Sequence, residues 1–316
     1  MKLAWLFPGQ GSQAVGMGRD VYESSPAARR IFEQVDAALG EGLSKLCFEG
    51  PMDQLTRTEN TQPAIVTTSA ALCAAIRERL GDGLPLPAFA AGHSLGEYSA
   101  LCAAGVMEVV DAARVTRIRG RAMQGAVPEG VGAMAAVMNL AGDEVAKVCA
   151  EAQSGDEQVS CANFNAPTQT VIAGHAAAVQ RAAELAKAAG AKVIPLNVSA
   201  PFHSALMRPA REAVAAALAE LSLAEAAFPV IANVDAEPRH APGAVAEALV
   251  EQVDSPVMWV ATIERLRKEG VTHALEIGPG RVLAGLARRI DKDLEVLSVG
   301  SSDAIDKIPG FLGLEG

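Results

Sequence analysis

Between Gly132 and Val198 the chain switches hydrophobic period four times, in an order that few folds accommodate. "GAMAAVM" (132 to 138) reads as a strand and "GDEVAKVCAEA" (142 to 152) as a helix. "QVSCANF" (158 to 164) and "TVIAG" (170 to 174) read as two strands, "HAAAVQRAAELAKAAG" (175 to 190) as a helix and "KVIPLNV" (192 to 198) as a last strand. The order β-α-β-β-α-β is that of a ferredoxin-like split unit. On both sides the pattern is different: short apolar strands run into alanine- and leucine-rich helices, as in a parallel sheet covered by helices. The expectation is therefore an α/β protein in which residues 127-198 form a small domain inserted into a large one built from 1-126 and 199-316. A chain of 316 residues, 50 % hydrophobic but only 4 % aromatic, suits two such units.

In the large part, "KLAWLF" (2 to 7) is predicted as a strand, followed by the loop "PGQGSQAVGMG" and one helix over roughly 20 to 38. "TQPAIVTTSAALCAAIRERL" (61 to 80) is predicted as a helix with hardly a polar face, hence buried. "LPAFAAG" (86 to 92) reads as a strand and a helix follows from Leu95 to near Gly105, which sets Ser94 on a strand-to-helix turn between Gly92 and Gly96. After the insertion come a strand "FPVIANV" (228 to 234), a helix "GAVAEALVEQV" (243 to 253), a strand "HALEIG" (273 to 278) and a helix "VLAGLARRI" (282 to 290).

A serine on such an elbow holds its hydroxyl out at the carboxyl end of a sheet, beside helix N–H groups that can meet an oxyanion. It needs a base, and the chain has five histidines. His93 adjoins the serine and should point away from it; His175, His240 and His273 read as solvated or structural. His203, in "NVSAPFHSALM", lies where the chain re-enters the large domain and follows the serine in the order of Ser-then-His hydrolases. On the helix "DAARVTRIRGRAMQ" (111 to 124) Arg119 falls within the apolar stripe, with Arg114, Arg117 and Arg121 on the other side. A buried guanidinium requires an anion, either a structural carboxylate or a substrate carboxylate held in its planar fork.

Other readings are narrower. "GQGSQA" (9 to 14) fits a dinucleotide fingerprint, which would make the chain an oxidoreductase, but no second strand ending in an acidic residue follows the next helix. His93 and Glu97 are four residues apart without a second histidine, so a solvated or capping pair is expected and no metal. Cys47, Cys73, Cys102, Cys149 and Cys161 show no C-x-x-C spacing and are expected to be reduced thiols. A net charge of −10 argues against nucleic acid, and the absence of a long apolar run or leader against membrane insertion or export, so a soluble cytoplasmic protein is expected.

Six stretches in this order, "FPGQGSQ" (7 to 13), "GHSLGEYSAL" (92 to 101), "RGRAMQ" (119 to 124), "NFNAPTQTVIAGH" (163 to 175), "PFHSALM" (201 to 207) and "EIGPGRVL" (276 to 283), resemble the malonyl-CoA:acyl carrier protein transacylase family. The resemblance covers nearly the whole chain. It implies an α/β-hydrolase-like large domain with a ferredoxin-like small domain. The implied reaction moves a malonyl group from malonyl-CoA to the phosphopantetheine thiol of acyl carrier protein in fatty-acid synthesis, releasing coenzyme A and using no cofactor. It further implies Ser94 as nucleophile, His203 as base, Arg119 as partner of the malonyl carboxylate, and Gln10 with the backbone N–H of Leu95 as oxyanion hole. Gln252 matches the position whose backbone carbonyl orients the histidine, so no acidic third member is expected. Phe202 resembles a wall against α-methyl branches. The acidic carrier is expected to dock on Arg288 and Arg289, with Arg117 and Arg121 as weaker contributors. A polyketide or malonate decarboxylase acyltransferase would use the same residues; a serine esterase would instead release acid to water.

Overall fold

The protein is described from a computed structural model covering residues 1–198 and 200–314. Ser199, where the expected return to the large domain begins, and residues 315–316 lie outside the described residues. Two sheets organise the chain. The first has six strands: β1 (Leu3–Phe7), β2 (Phe89–Gly92), β7 (Val230–Ile231), β8 (Pro238–Arg239), β9 (His273–Ile277) and β10 (Glu295–Val299), in the order β10-β9-β1-β2-β7-β8. All neighbours are parallel except β7 and β8. The second sheet holds β3 (Gly132–Met138), β4 (Val159–Ala166), β5 (Gln169–His175) and β6 (Lys192–Pro195), in the order β4-β5-β3-β6 with every pair antiparallel. With the helices Gly142–Glu151 and Ala176–Ala188 it makes the expected β-α-β-β-α-β unit.

Burial explains the layering. All five residues of β1 are buried. Leu3, Trp5 and Phe7 face the helices Pro26–Leu39, Thr58–Leu80 and Val109–Gly125, whereas Ala4 and Leu6 face Trp259, Ile263 and Leu283 on the opposite side. A strand buried on both faces belongs to a sheet covered by helices on both faces. The small sheet packs Ala135, Val137 and Ile172 under its own two helices and turns Met134, Ala136, Val171 and Ala173 toward the main core.

Several expectations need correction. The single helix over 20 to 38 is two, Arg19–Ser24 and Pro26–Leu39, because Ser25 caps the second through its side chain and Pro26 occupies its first turn. The strand at 228 to 234 shrinks to Val230–Ile231 because the chain folds back at once, with Ala236 at φ 58 and its N–H on the Ala232 carbonyl. The helix Trp259–Lys268 and strand β10 had no counterpart in the sequence reading.

Candidate active site

β2 ends at Gly92 and the next helix, Gly96–Ala103, begins four residues later, so the turn between them is sharp and Ser94 takes φ 52. The elbow presses on the loop after β1: a Cβ on Gly96 would lie 2.8 Å from the Pro8 carbonyl oxygen, and Gly92 has no room for one against the Gly96 carbonyl. Asn233, two residues past β7, braces the turn. Its Oδ1 accepts from the Ser94 N–H at 2.7 Å and its Nδ2 donates to the Gly92 carbonyl at 2.6 Å.

Ser94 Oγ lies 2.7 Å from His203 Nε2. His203 is buried, also in a left-handed conformation (φ 57), and its Nδ1 reaches the Gln252 carbonyl at 3.0 Å and the Ser255 carbonyl at 3.1 Å. Two acceptors at Nδ1 fix the proton there and leave Nε2 as the acceptor for the serine hydroxyl. Burial, reinforced by the charges of Arg119 and His93, pushes the histidine pKa down to about 3, against the pull of the two carbonyls. At neutral pH the ring is a free base. Both partners of Nδ1 are backbone carbonyls rather than a carboxylate.

The N–H of Leu95 and the N–H of Gln10 have no intramolecular acceptor among the described residues, whereas the Gln10 side-chain amide donates to Thr58 Oγ1 at 3.3 Å. Of the Gln10 donors, the backbone one is thus available to an oxyanion.

Arg119 is 1 % exposed and meets no carboxylate within ion-pair distance among the described residues, which removes the structural ion-pair reading. Its Nη1 donates to Gln62 Oε1 at 2.7 Å, and Nη2 to Gln252 Oε1 at 2.8 Å and to Ser94 Oγ at 3.2 Å. The guanidinium lies over the Tyr98 ring at 5.8 Å, and its buried Nε has no partner. Burial lowers its pKa, with Tyr98 and Glu97 opposing. A buried cation held by two neutral amides has its charge unspent, beside the serine.

These groups share one cavity of about 200 Å³ between the two sheets, walled by Met123, Met134, Val171, Leu196 and Phe202. That volume has room for a short acyl group.

Other expectations fare differently. Arg117 is buried and bonded to Glu41 and Asn60, so it cannot serve a docking surface; the helix angle alone concealed partners from distant segments. Arg121 is exposed but paired with Glu59 at 2.9 Å, and Arg288 and Arg289 are exposed, Arg289 donating to Gln169. Glu97 is neither solvated nor paired with His93. It is 3 % exposed and accepts from the Asn233 N–H at 2.9 Å and from Gln252 Nε2 at 2.8 Å, while His93 Nε2 lies 2.7 Å from Asn165 Oδ1. Burial raises the Glu97 pKa to about 7. Among the described residues no cluster suits a metal ion, all five cysteines are free, and no helix is long and apolar enough to cross a membrane. The "GQGSQA" loop does not open the compact β-α-β unit of a dinucleotide site: β1 pairs in parallel with β2, but several helices over residues 19 to 80 separate the two strands, and β2 ends at Gly92 rather than at an acidic residue.

A sequence model described as the acyl transferase domain matches residues 4–299. The chain is 46 % identical over 305 residues to the malonyl CoA-acyl carrier protein transacylase of Escherichia coli strain K12, covering 96 % of this chain and 97 % of that one. It is 45 % identical over 306 residues to the protein of the same name from Bacillus subtilis strain 168, covering 96 % and 95 %. Among solved structures, an acyl-carrier-protein S-malonyltransferase from Bartonella henselae superimposes with a TM-score of 0.95 at 47 % identity, covering 99 % of this chain and 100 % of that one. A malonyl-transacylase bound to its type II PKS acyl-carrier protein gives 0.93 at 42 %, covering 97 % and 98 %.

Proposed function

The chain belongs to the acyl transferase domain family, and from that premise we propose that Ser94, His203 and Arg119 carry a malonyl transfer by a two-step exchange. The reaction takes the malonyl group of malonyl-CoA to the phosphopantetheine thiol of acyl carrier protein, and so feeds fatty-acid biosynthesis. Ser94 Oγ attacks the thioester carbonyl as His203 Nε2 takes its proton. The tetrahedral oxyanion forms against the N–H groups of Leu95 and Gln10, each worth about 10² to 10³ in rate. His203 then protonates the departing coenzyme A sulfur, leaving malonyl-Ser94. The carrier thiol attacks that ester in turn, His203 accepting the thiol proton and returning it to Ser94 Oγ. The Gln252 carbonyl keeps the imidazole aimed throughout.

Arg119 supplies selectivity: the malonyl carboxylate meets its fork, whereas an acetyl group leaves a buried charge unpaired. The observation that carries this reading is the 2.7 Å Ser94–His203 pair opening on the same small cavity as an uncompensated buried arginine. No cofactor is needed, because coenzyme A arrives and leaves with the substrate. In this reading residues 1-126 with 199-316 form the catalytic domain and 127-198 the small domain, the protein works in the cytoplasm, and the carrier docks on Arg288 and Arg289, with Arg121 contributing. A polyketide carrier is a second acceptor to try, given the likeness to a transacylase bound to one.

The test is intact-protein mass after brief mixing with malonyl-CoA, for wild type and Ser94→Ala, followed by addition of holo acyl carrier protein. One malonyl group on wild type only, discharged onto the carrier, is expected. An adduct that persists in Ser94→Ala, or no adduct with malonyl-CoA left intact, overturns the reading; discharge to water alone makes the protein an esterase.

A further inference from the structure

Resting on that function, we propose that Glu97 is a positioning residue for substrate selectivity, acting through the side chain of Gln252 to set the edge of Arg119 that meets the substrate carboxylate. Gln252 is fully buried and every polar group of its side chain is engaged. Its Nε2 donates to Glu97 Oε2 at 2.8 Å and to the Ser94 carbonyl at 3.1 Å, and its Oε1 accepts from Arg119 Nη2 at 2.8 Å. The order of these bonds is dictated by chemistry. Glu97 Oε2 is an acceptor, already meeting the Asn233 N–H, and a guanidinium only donates, so an amide between them has one stable orientation. Reversed, its NH₂ would face the guanidinium and its oxygen the carboxylate. Glu97 itself is held by the Asn233 N–H and sits in the first turn of the helix Gly96–Ala103, where the helix dipole favours a negative charge.

One end of Arg119 is fixed by Gln62, on a different helix, and the other by Gln252. Removing the Glu97 acceptor frees Gln252 to turn, and the Nη2 end of the guanidinium loses its fixed direction. The backbone carbonyl of Gln252, which holds His203, does not depend on that side chain. The consequence is specific: loss of Glu97 weakens recognition of the carboxylate more than it weakens acyl transfer.

The experiment measures kcat/KM for malonyl-CoA and for acetyl-CoA, with holo acyl carrier protein as acceptor, in full-length wild type, Glu97→Leu, Glu97→Gln, Gln252→Leu and the Glu97→Leu/Gln252→Leu double variant. In Glu97→Leu the malonyl-to-acetyl ratio is expected to fall about tenfold or more, mainly through KM for malonyl-CoA, the size of one hydrogen bond to a charged group. Glu97→Gln keeps an acceptor oxygen for both donors and should recover most of the ratio. Gln252→Leu should show the same loss, and the double variant no further loss, because both changes cut one connection. Equal losses for the two substrates, or losses that multiply in the double variant, overturn the proposal. If Glu97→Leu does not fold, an unchanged ratio in Gln252→Leu overturns it alone. A wild type that transfers neither acyl group refutes the assigned reaction instead.

Discussion

Gly120 stands next to Arg119 where the helix Val109–Gly125 crosses Thr58–Leu80, and the fit there can be measured. A Cβ at Gly120 would lie 2.7 Å from Glu59 Cα and 2.8 Å from the Thr58 carbonyl oxygen, where ordinary contacts begin at 3.4 Å. Both obstacles are backbone, so no rotamer relieves the clash. Gly120→Ala therefore requires the helices to separate by about 0.7 Å or more, and overpacking of this kind costs about 1 to 3 kcal/mol. Arg119 moves with its helix while Gln62 stays with the other. A reacting group displaced by about 1 Å loses on the order of 10²-fold in rate, so malonyl transfer should fall between tenfold and a hundredfold. Gly125→Ala is the control: it lies on the same helix with nothing within 4 Å of its Cβ and is expected to be neutral or stabilising by about 0.5 kcal/mol. Urea midpoints give the stability and burst acylation by malonyl-CoA gives the rate. Wild-type values for Gly120→Ala, or an equal loss in Gly125→Ala, would refute the reasoning.

Arg119→Met should lower kcat/KM for malonyl-CoA by about 10² to 10³, the loss of two charge-assisted hydrogen bonds, and leave acetyl-CoA unchanged or improved. An equal fall for both would mean that Arg119 serves the Ser94 hydroxyl instead. Thermal melts should show a pH signature of the buried histidine: between 6.5 and about 3 the unfolded chain binds a proton that folded His203 refuses, so the stability contributed falls as pH falls through that window. Glu97 opposes this between about 7 and 4.5, where the folded state holds the proton, so stability rises as pH falls there. His203→Gln should therefore gain stability relative to wild type as pH drops from 7 to 5, and a constant difference would count against the buried neutral ring. Phe202→Ala, which removes a cavity wall, should admit methylmalonyl-CoA, and an unchanged preference would leave Phe202 as a packing residue only. Arg288→Glu with Arg289→Glu should slow carrier-dependent discharge at low salt while leaving acylation by malonyl-CoA intact; an unchanged discharge rate removes the docking patch.

The parts of this molecule that announce themselves along the chain are those with local causes. The β-α-β-β-α-β run is legible because each element completes its own hydrophobic period within a dozen residues. The meeting of Ser94 with His203 is legible because an elbow and a re-entry loop constrain the backbone around them. Strand β10 escaped because it is an edge strand with three of its five residues half-buried and little alternation. Glu97 and Arg117 were misjudged for a shared reason. Their partners, Asn233 and Gln252 for one and Glu41 and Asn60 for the other, come from distant segments, and no helical angle reveals that a charged side chain will be met across the core.

Ser94 and His203 both sit at positive φ, a region that costs a side chain about 1 to 2 kcal/mol and glycine almost nothing. Glycine would ease the backbone at both positions, yet at His203 it would also empty a buried site and leave the Gln252 and Ser255 carbonyls without their donor. Under the proposed reaction these two left-handed residues are kept for their side chains, and relaxing the backbone at His203 brings no net gain in stability. A stabilised version of this fold would find its gains in the helices and the small sheet and, under the proposed reaction, would keep the two left-handed residues as the strain that positions the serine and the histidine.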